Sequence, residues 1–174
     1  MVTMSKDNGE IDEIVISKYL KGMVICHKNG TYLLDLILDT EINPVLLSSF
    51  VGALALFGAE NVGKIEEIIV KGLDIQMIIV NKYDLILVAI LAKDFVKEDI
   101  RDEAEKALDM FYSLYKDYLK DCIDISIFEP FKNLLREQIV SYFTDFIGQK
   151  KKEKEVADFG FFTEAIMKMR NLNK

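Results

Sequence analysis

The chain has 174 residues, 51% hydrophobic and 29% charged, which is enough for one domain with a sizeable core and too apolar for a disordered polymer. Its 29 acidic residues outweigh 22 basic ones, and a net charge of −7 argues against a fold that grips nucleic-acid phosphates. A single histidine removes most zinc sites, and two cysteines, Cys26 and Cys122, make no disulfide framework, so both are expected as reduced thiols.

Met1 to Glu10 is polar and lacks the charged and apolar runs of a secretory leader, so a cytoplasmic location is expected. Ile14-Val15-Ile16 and Met23 to Cys26 read as strands joined by a tight connection at Lys21-Gly22. Lys28-Asn29-Gly30 is a turn, and Tyr32 to Ile37 is either a strand or an extended lead-in. Asn43-Pro44 opens a helix: Asn is a favoured N-cap, and Pro at the first helical position gives up only an amide that has no helical partner there. Gly58 is placed to end it.

Ile65 to Val70, Leu73 to Val80 and Leu85 to Ala92 follow as three strands, with turns at Lys71-Gly72 and Asn81-Lys82. Connections this short force an antiparallel meander, and the unbroken apolar run of the last strand requires cover on both faces. Ile100, Ala104, Ala107, Leu108, Phe111 and Tyr115 then recur at helical spacing, as do Phe131, Leu135, Ile139, Tyr142 and Phe146 beyond Pro130. Lys150 to Lys154 reads as a solvated helix end or hinge before a last aromatic segment. The whole predicts an α+β fold, a three-layer α/β/α domain on a mainly antiparallel five-stranded sheet. Residues 11–120 form the domain and 121–174 a C-terminal helical extension.

The stretch from Ile42 to Ala59 carries no charge, but Asn43, Pro44, Ser48, Ser49, Gly52 and Gly58 interrupt it, so it is expected as a buried soluble helix and not a membrane span. Projected as a helix, Leu47, Phe50, Leu54 and Phe57 share one face, expected to pack on the sheet. Ser48, Gly52, Ala55 and Ala59 share the opposite one. Either a later helix of the same chain covers that small face or a second protomer does. The later helices are needed across the sheet, which favours a helix–helix partner interface at Ser48, Gly52, Ala55 and Ala59.

Several motifs imitate chemistry. Gly58 to Lys64 copies the opening of a P-loop, yet Ile65 stands where a Ser or Thr should reach magnesium, and the segment leaves a helix where a P-loop enters one. Asp158-Phe159-Gly160 lacks the other kinase elements. Cys26 and His27 are strand neighbours and point to opposite faces, so they form no dyad. The acids from Asp99 to Asp109 lie on a solvated helix face. No catalytic, cofactor-binding or metal-binding residue is assigned, and no cofactor is expected. The lysines at 150–154 support at most weak peripheral contact with lipid headgroups.

The run from Asp39 to Leu54, with Leu46-Leu47-Ser48-Ser49-Phe50 at its centre and Phe57-Gly58 after it, resembles the first helix of longin and roadblock-type domains, in flavour closest to archaeal members. The meander from Ile65 to Ala92 and the helix opening Glu98-Asp99-Ile100-Arg101 continue the likeness, which covers Ile11 to Leu119. The resemblance implies a five-stranded antiparallel sheet with one helix on one face and helices on the other. It also implies homo- or heterodimers, and a non-enzymatic scaffold or adaptor that binds or regulates a Ras-like small GTPase in a trafficking or polarity complex. The lack of an obvious helix before the first strand points to the longin type. The alternative is a small-molecule sensor domain, with Tyr83, His27 and Gln76 as candidate polar groups.

Overall fold

The computed structural model describes residues 13–95, 98–121 and 124–172. Its strands are β1 (Leu20–His27), β2 (Tyr32–Ile37), β3 (Glu67–Lys71), β4 (Ile75–Lys82) and β5 (Leu85–Ala92). The helices are α1 (Pro44–Asn61), α2 (Ile100–Tyr115) and α3 (Phe131–Leu172), with a 3-10 turn at Ile125–Phe128. Two compact units divide the chain, Met1–Gln138 and Ile139–Lys174.

The five strands form one sheet in the order β2-β1-β5-β4-β3, and every pairing is antiparallel. Tyr32 to Ile37 is therefore a strand. β5 lies at the centre, between β1 and β4, and its residues from Leu85 to Leu91 are all buried. Ile86, Val88 and Ile90 join Val24, Cys26, Ile79, Leu47 and Val51 in a core under α1. By strand alternation Leu85, Leu87, Ala89 and Leu91 face the other way. On that second face α2 lies over β4 and β5, and the 3-10 turn lies against β2. Phe111 meets Phe128 and Phe131 there, with ring centroids 5.2 and 5.1 Å apart. The expected three-layer α/β/α fold is present.

Local details depart from the sequence reading. Residues 13–16 are helical, not a strand, so a helical segment does precede β1. Lys21-Gly22 lies inside β1 at a bulge against β5, where a β-carbon on residue 22 would stand 2.9 Å from Ile37 Cδ1 and 3.1 Å from the Leu36 carbonyl oxygen. Glycine there serves a close approach and not a turn. The β4–β5 turn falls at Tyr83-Asp84, both with positive φ, and not at Asn81-Lys82. Asn81 instead donates its side-chain amide to the Ile65 carbonyl at 2.7 Å.

At α1, the Asn43 side chain accepts from the amides of Val45 and Leu46 at 3.0 and 3.1 Å, which is the expected cap. Gly58 does not end the helix. It is buried inside it, because a side chain there would overlap Ile65, and Gly63 at φ +103° takes the left-handed position beyond. α3 runs without a break through Lys150 to Lys154, so this segment is solvated as expected but is continuous helix and not a helix end or hinge. Asp158-Phe159-Gly160 lies within the same helix. Cys122 lies outside the described residues.

Candidate interaction surface

α1 is apolar around its whole circumference, so its sequence does not dictate which side meets the sheet. The buried residues are Leu47, Ser48, Val51, Gly52 and Gly58. This face lies between the two stripes, taking part of each. The expected packing of the large stripe on the sheet is corrected: Leu47 is buried, while Phe50 and Phe57 remain 50% and 58% exposed. The reason is the hairpin between β1 and β2. Its tip, Asn29-Gly30, presses on α1 at Gly52, where a β-carbon would overlap the Gly30 backbone and stand 2.9 Å from the Asn29 carbonyl carbon. Only the glycine side of the helix admits that approach.

The four predicted interface residues therefore divide. Ser48 is fully buried, donating its hydroxyl to the Pro44 carbonyl at 2.7 Å. Gly52 is sheltered by the chain's own hairpin. Ala55 and Ala59, with the edge of Gly52, line a groove of about 610 Å³ whose other walls are Ser49, Leu56, Lys28 and Asn29. The groove continues past Ala55 and Ala59 toward Lys64, Ile65 and Tyr83.

Outside this groove α1 presents Val45, Leu46, Phe50 and Phe57 to solvent, with Leu46 70% exposed, and Leu56 on the groove wall is exposed as well. Sequence reasoning missed these residues as surface. Their signal, an apolar run with no charged side, was present, but the hairpin contact that orients the helix is long-range. α1 is the one helix among the described residues long and apolar enough to cross a membrane by length and composition. One face of it nevertheless packs on the sheet.

The candidate polar groups for a small ligand also separate. His27 and Tyr83 line a common cleft on the α2 face, whereas Gln76 is buried elsewhere, its amide donating to the carbonyls of Ala92 and Phe95. Burial pushes the Cys26 thiol up to about 11, against a smaller downward pull from Ser48. His27 is part-exposed on the opposite face of β1, as strand alternation requires. The P-loop lookalike from Gly58 to Lys64 is the C-terminal turn of α1 and the loop that follows, so it leaves a helix where a P-loop enters one. Among the described residues no group of three or more His, Cys, Asp or Glu is placed to hold a metal.

An antiparallel five-stranded sheet with α1 on one face and α2 on the other is the arrangement of the longin/roadblock-like fold. No family model and no curated protein matches the chain. Among solved structures it is similar to the gliding protein MglB from Thermus thermophilus, at 9% identity and a TM-score of 0.43 over 59% of this chain and 86% of that one. It is similar also to a Roadblock/LC7 domain from Streptomyces avermitilis, at 10% and 0.44 over 58% and 86%. Myxococcus xanthus MglB gives 12% and 0.47 over 70% and 99%. At these values the likeness is one of fold alone.

Proposed function

We propose that this chain is a non-enzymatic, cytoplasmic scaffold that dimerises and binds or regulates a Ras-like small GTPase. The observation that carries the reading is the outer side of α1, where five large apolar residues lie exposed on and beside a groove lined by Ala55 and Ala59. An apolar patch this continuous on a globular fold marks an interaction surface. Its uncharged groove suits a helix, and a second copy of α1 supplies one under two-fold symmetry. In this reading residues 11–120 are the interacting module and 121–174 an appended helical extension. The partner protomer is this chain or a related domain.

Sedimentation equilibrium of the full chain tests the dimer, and a monomer at the highest attainable concentration removes it. Capture of Ras-like GTPases loaded with GDP or with a non-hydrolysable GTP analogue then tests the partner, and equal, negligible capture in both states removes that half of the proposal.

A further inference from the structure

On the face of the sheet opposite α1 lies a cleft of about 380 Å³, within the size range of small-molecule sites. Three separate parts of the chain build it: the β1–β2 hairpin, the β4–β5 turn, and the end of α2 with the residues that follow. One wall is aromatic. Tyr83 and Tyr112 stack with centroids 4.3 Å apart and planes 13° from parallel. The Tyr83 ring is held from two directions. Its backbone sits at φ +56°, a region a bulky residue rarely enters, and the Lys82 ammonium lies 5.3 Å from its ring centroid.

The charge of the cleft runs against that of the chain. Asp84, the acid lining it, is neutralised by Lys28 at 2.7 Å, and the Lys28 amide also donates to the Asp84 carbonyl at 2.8 Å. Lys116 and Lys120 line the same cleft, both exposed, and neither has an ion-pair partner among the described residues. Two such ammonium groups therefore border an aromatic wall in a protein of net charge −7. Leu33, Leu119 and Ile125 complete an apolar lining, while Asn29 and Thr31 add neutral hydrogen-bonding groups.

We infer that this cleft binds a small organic anion with a flat ring, of the phosphate-monoester class, its charge on Lys116 and Lys120 and its ring against the Tyr83–Tyr112 wall. Lysine ammonium groups bind phosphate as point charges, and an aromatic wall favours a flat partner over an aliphatic one. The inference does not depend on the scaffold reading, since the cleft and α1 occupy different faces of the sheet.

The test titrates phenyl phosphate into the full chain at physiological salt, read by calorimetry and by amide NMR shifts of Asn29 and Thr31. Inorganic phosphate is the ring-free control. The double variant Lys116→Gln/Lys120→Gln changes only exposed side chains and should keep the fold. Saturable binding of phenyl phosphate, at least about tenfold weaker in the double variant and about tenfold weaker for inorganic phosphate, is the expected result. No saturable binding, equal binding by the variant, or equal binding of inorganic phosphate would each overturn the inference.

Discussion

Gly52 of α1 and Gly30 of the β1–β2 hairpin touch backbone to backbone, with no room between them for a β-carbon on residue 52. This contact turns α1 about its axis. It buries Ser48 and Gly52 inside the chain and leaves Phe50, Leu56 and Phe57 outside. Gly30 itself sits at φ +90°, where L side chains are strained, so neither partner is freely replaced.

Gly52→Ala should accordingly cost stability, by about 1–3 kcal/mol, through overpacking against the hairpin. Gly52→Arg should prevent folding and not merely separate protomers. Urea denaturation checks the first, and unchanged midpoints for Gly52→Ala would show that the hairpin yields without cost.

Phe57→Glu and Leu56→Glu should behave in the opposite way. Both side chains are exposed, so folding stability should change by no more than about 0.5 kcal/mol. The self-association predicted for α1 should be lost, because a charge would be buried in an apolar contact. Thermal melts and sedimentation of the same samples separate the two effects.

Cys26 is buried against Ser48, and its thiol is raised to about 11. A thiol so held stays protonated and inert near neutral pH. In a Cys122→Ser background, Cys26 should react with a thiol reagent only after denaturant is added. A raised folded value stabilises the neutral form fully below the unfolded thiol's value, near 8.5, and that contribution falls as pH rises toward about 11. The midpoint of urea unfolding should therefore drop across that alkaline window, and less so in Cys26→Ala.

Asp109 is held below its usual carboxylate range, first by the hydrogen bond from Lys82 and then by that from the Tyr83 hydroxyl. The Lys82 ammonium lies 2.8 Å from Oδ1 of Asp109 and 3.0 Å from Oδ2. A depressed folded value means that its contribution is present above the ordinary carboxylate value, about 4, and disappears as pH falls through the lower folded one. Asp109→Asn should thus be less stable than wild type at neutral pH, with the difference vanishing in strong acid. A gap that persists in acid would mean that packing and not charge is at work.

Asn43→Ala removes the cap of α1, whose side-chain oxygen serves two amides. The expected loss is about 1 kcal/mol. Asn43→Asp should retain most of the stability, and equal losses in the two variants would place the effect elsewhere.

How much of this was legible beforehand can be judged at particular residues. Asn43-Pro44 announced the start of α1, since a cap and a proline act within one turn of chain. The charge-free run from Leu85 to Leu91 announced a central strand covered on both faces, because a strand exposed on one side would carry polar residues there. The glycines were ambiguous for an equally physical reason. A residue that is small because another backbone or side chain presses on it, as at Gly22 against Ile37 and Gly58 against Ile65, looks locally like a turn.

By itself, then, the sequence determined the α+β class, the meander, the cap of α1 and the uncharged character of that helix, all of which depend on residues close along the chain. Only the tertiary structure decided which side of α1 faces outward and that Tyr83, Tyr112, Lys116 and Lys120 share one cleft. A helix apolar on every side has no intrinsic orientation, and groups 29 residues or more apart, as Tyr83 is from Tyr112, meet only when the sheet and its covering helix bring them together.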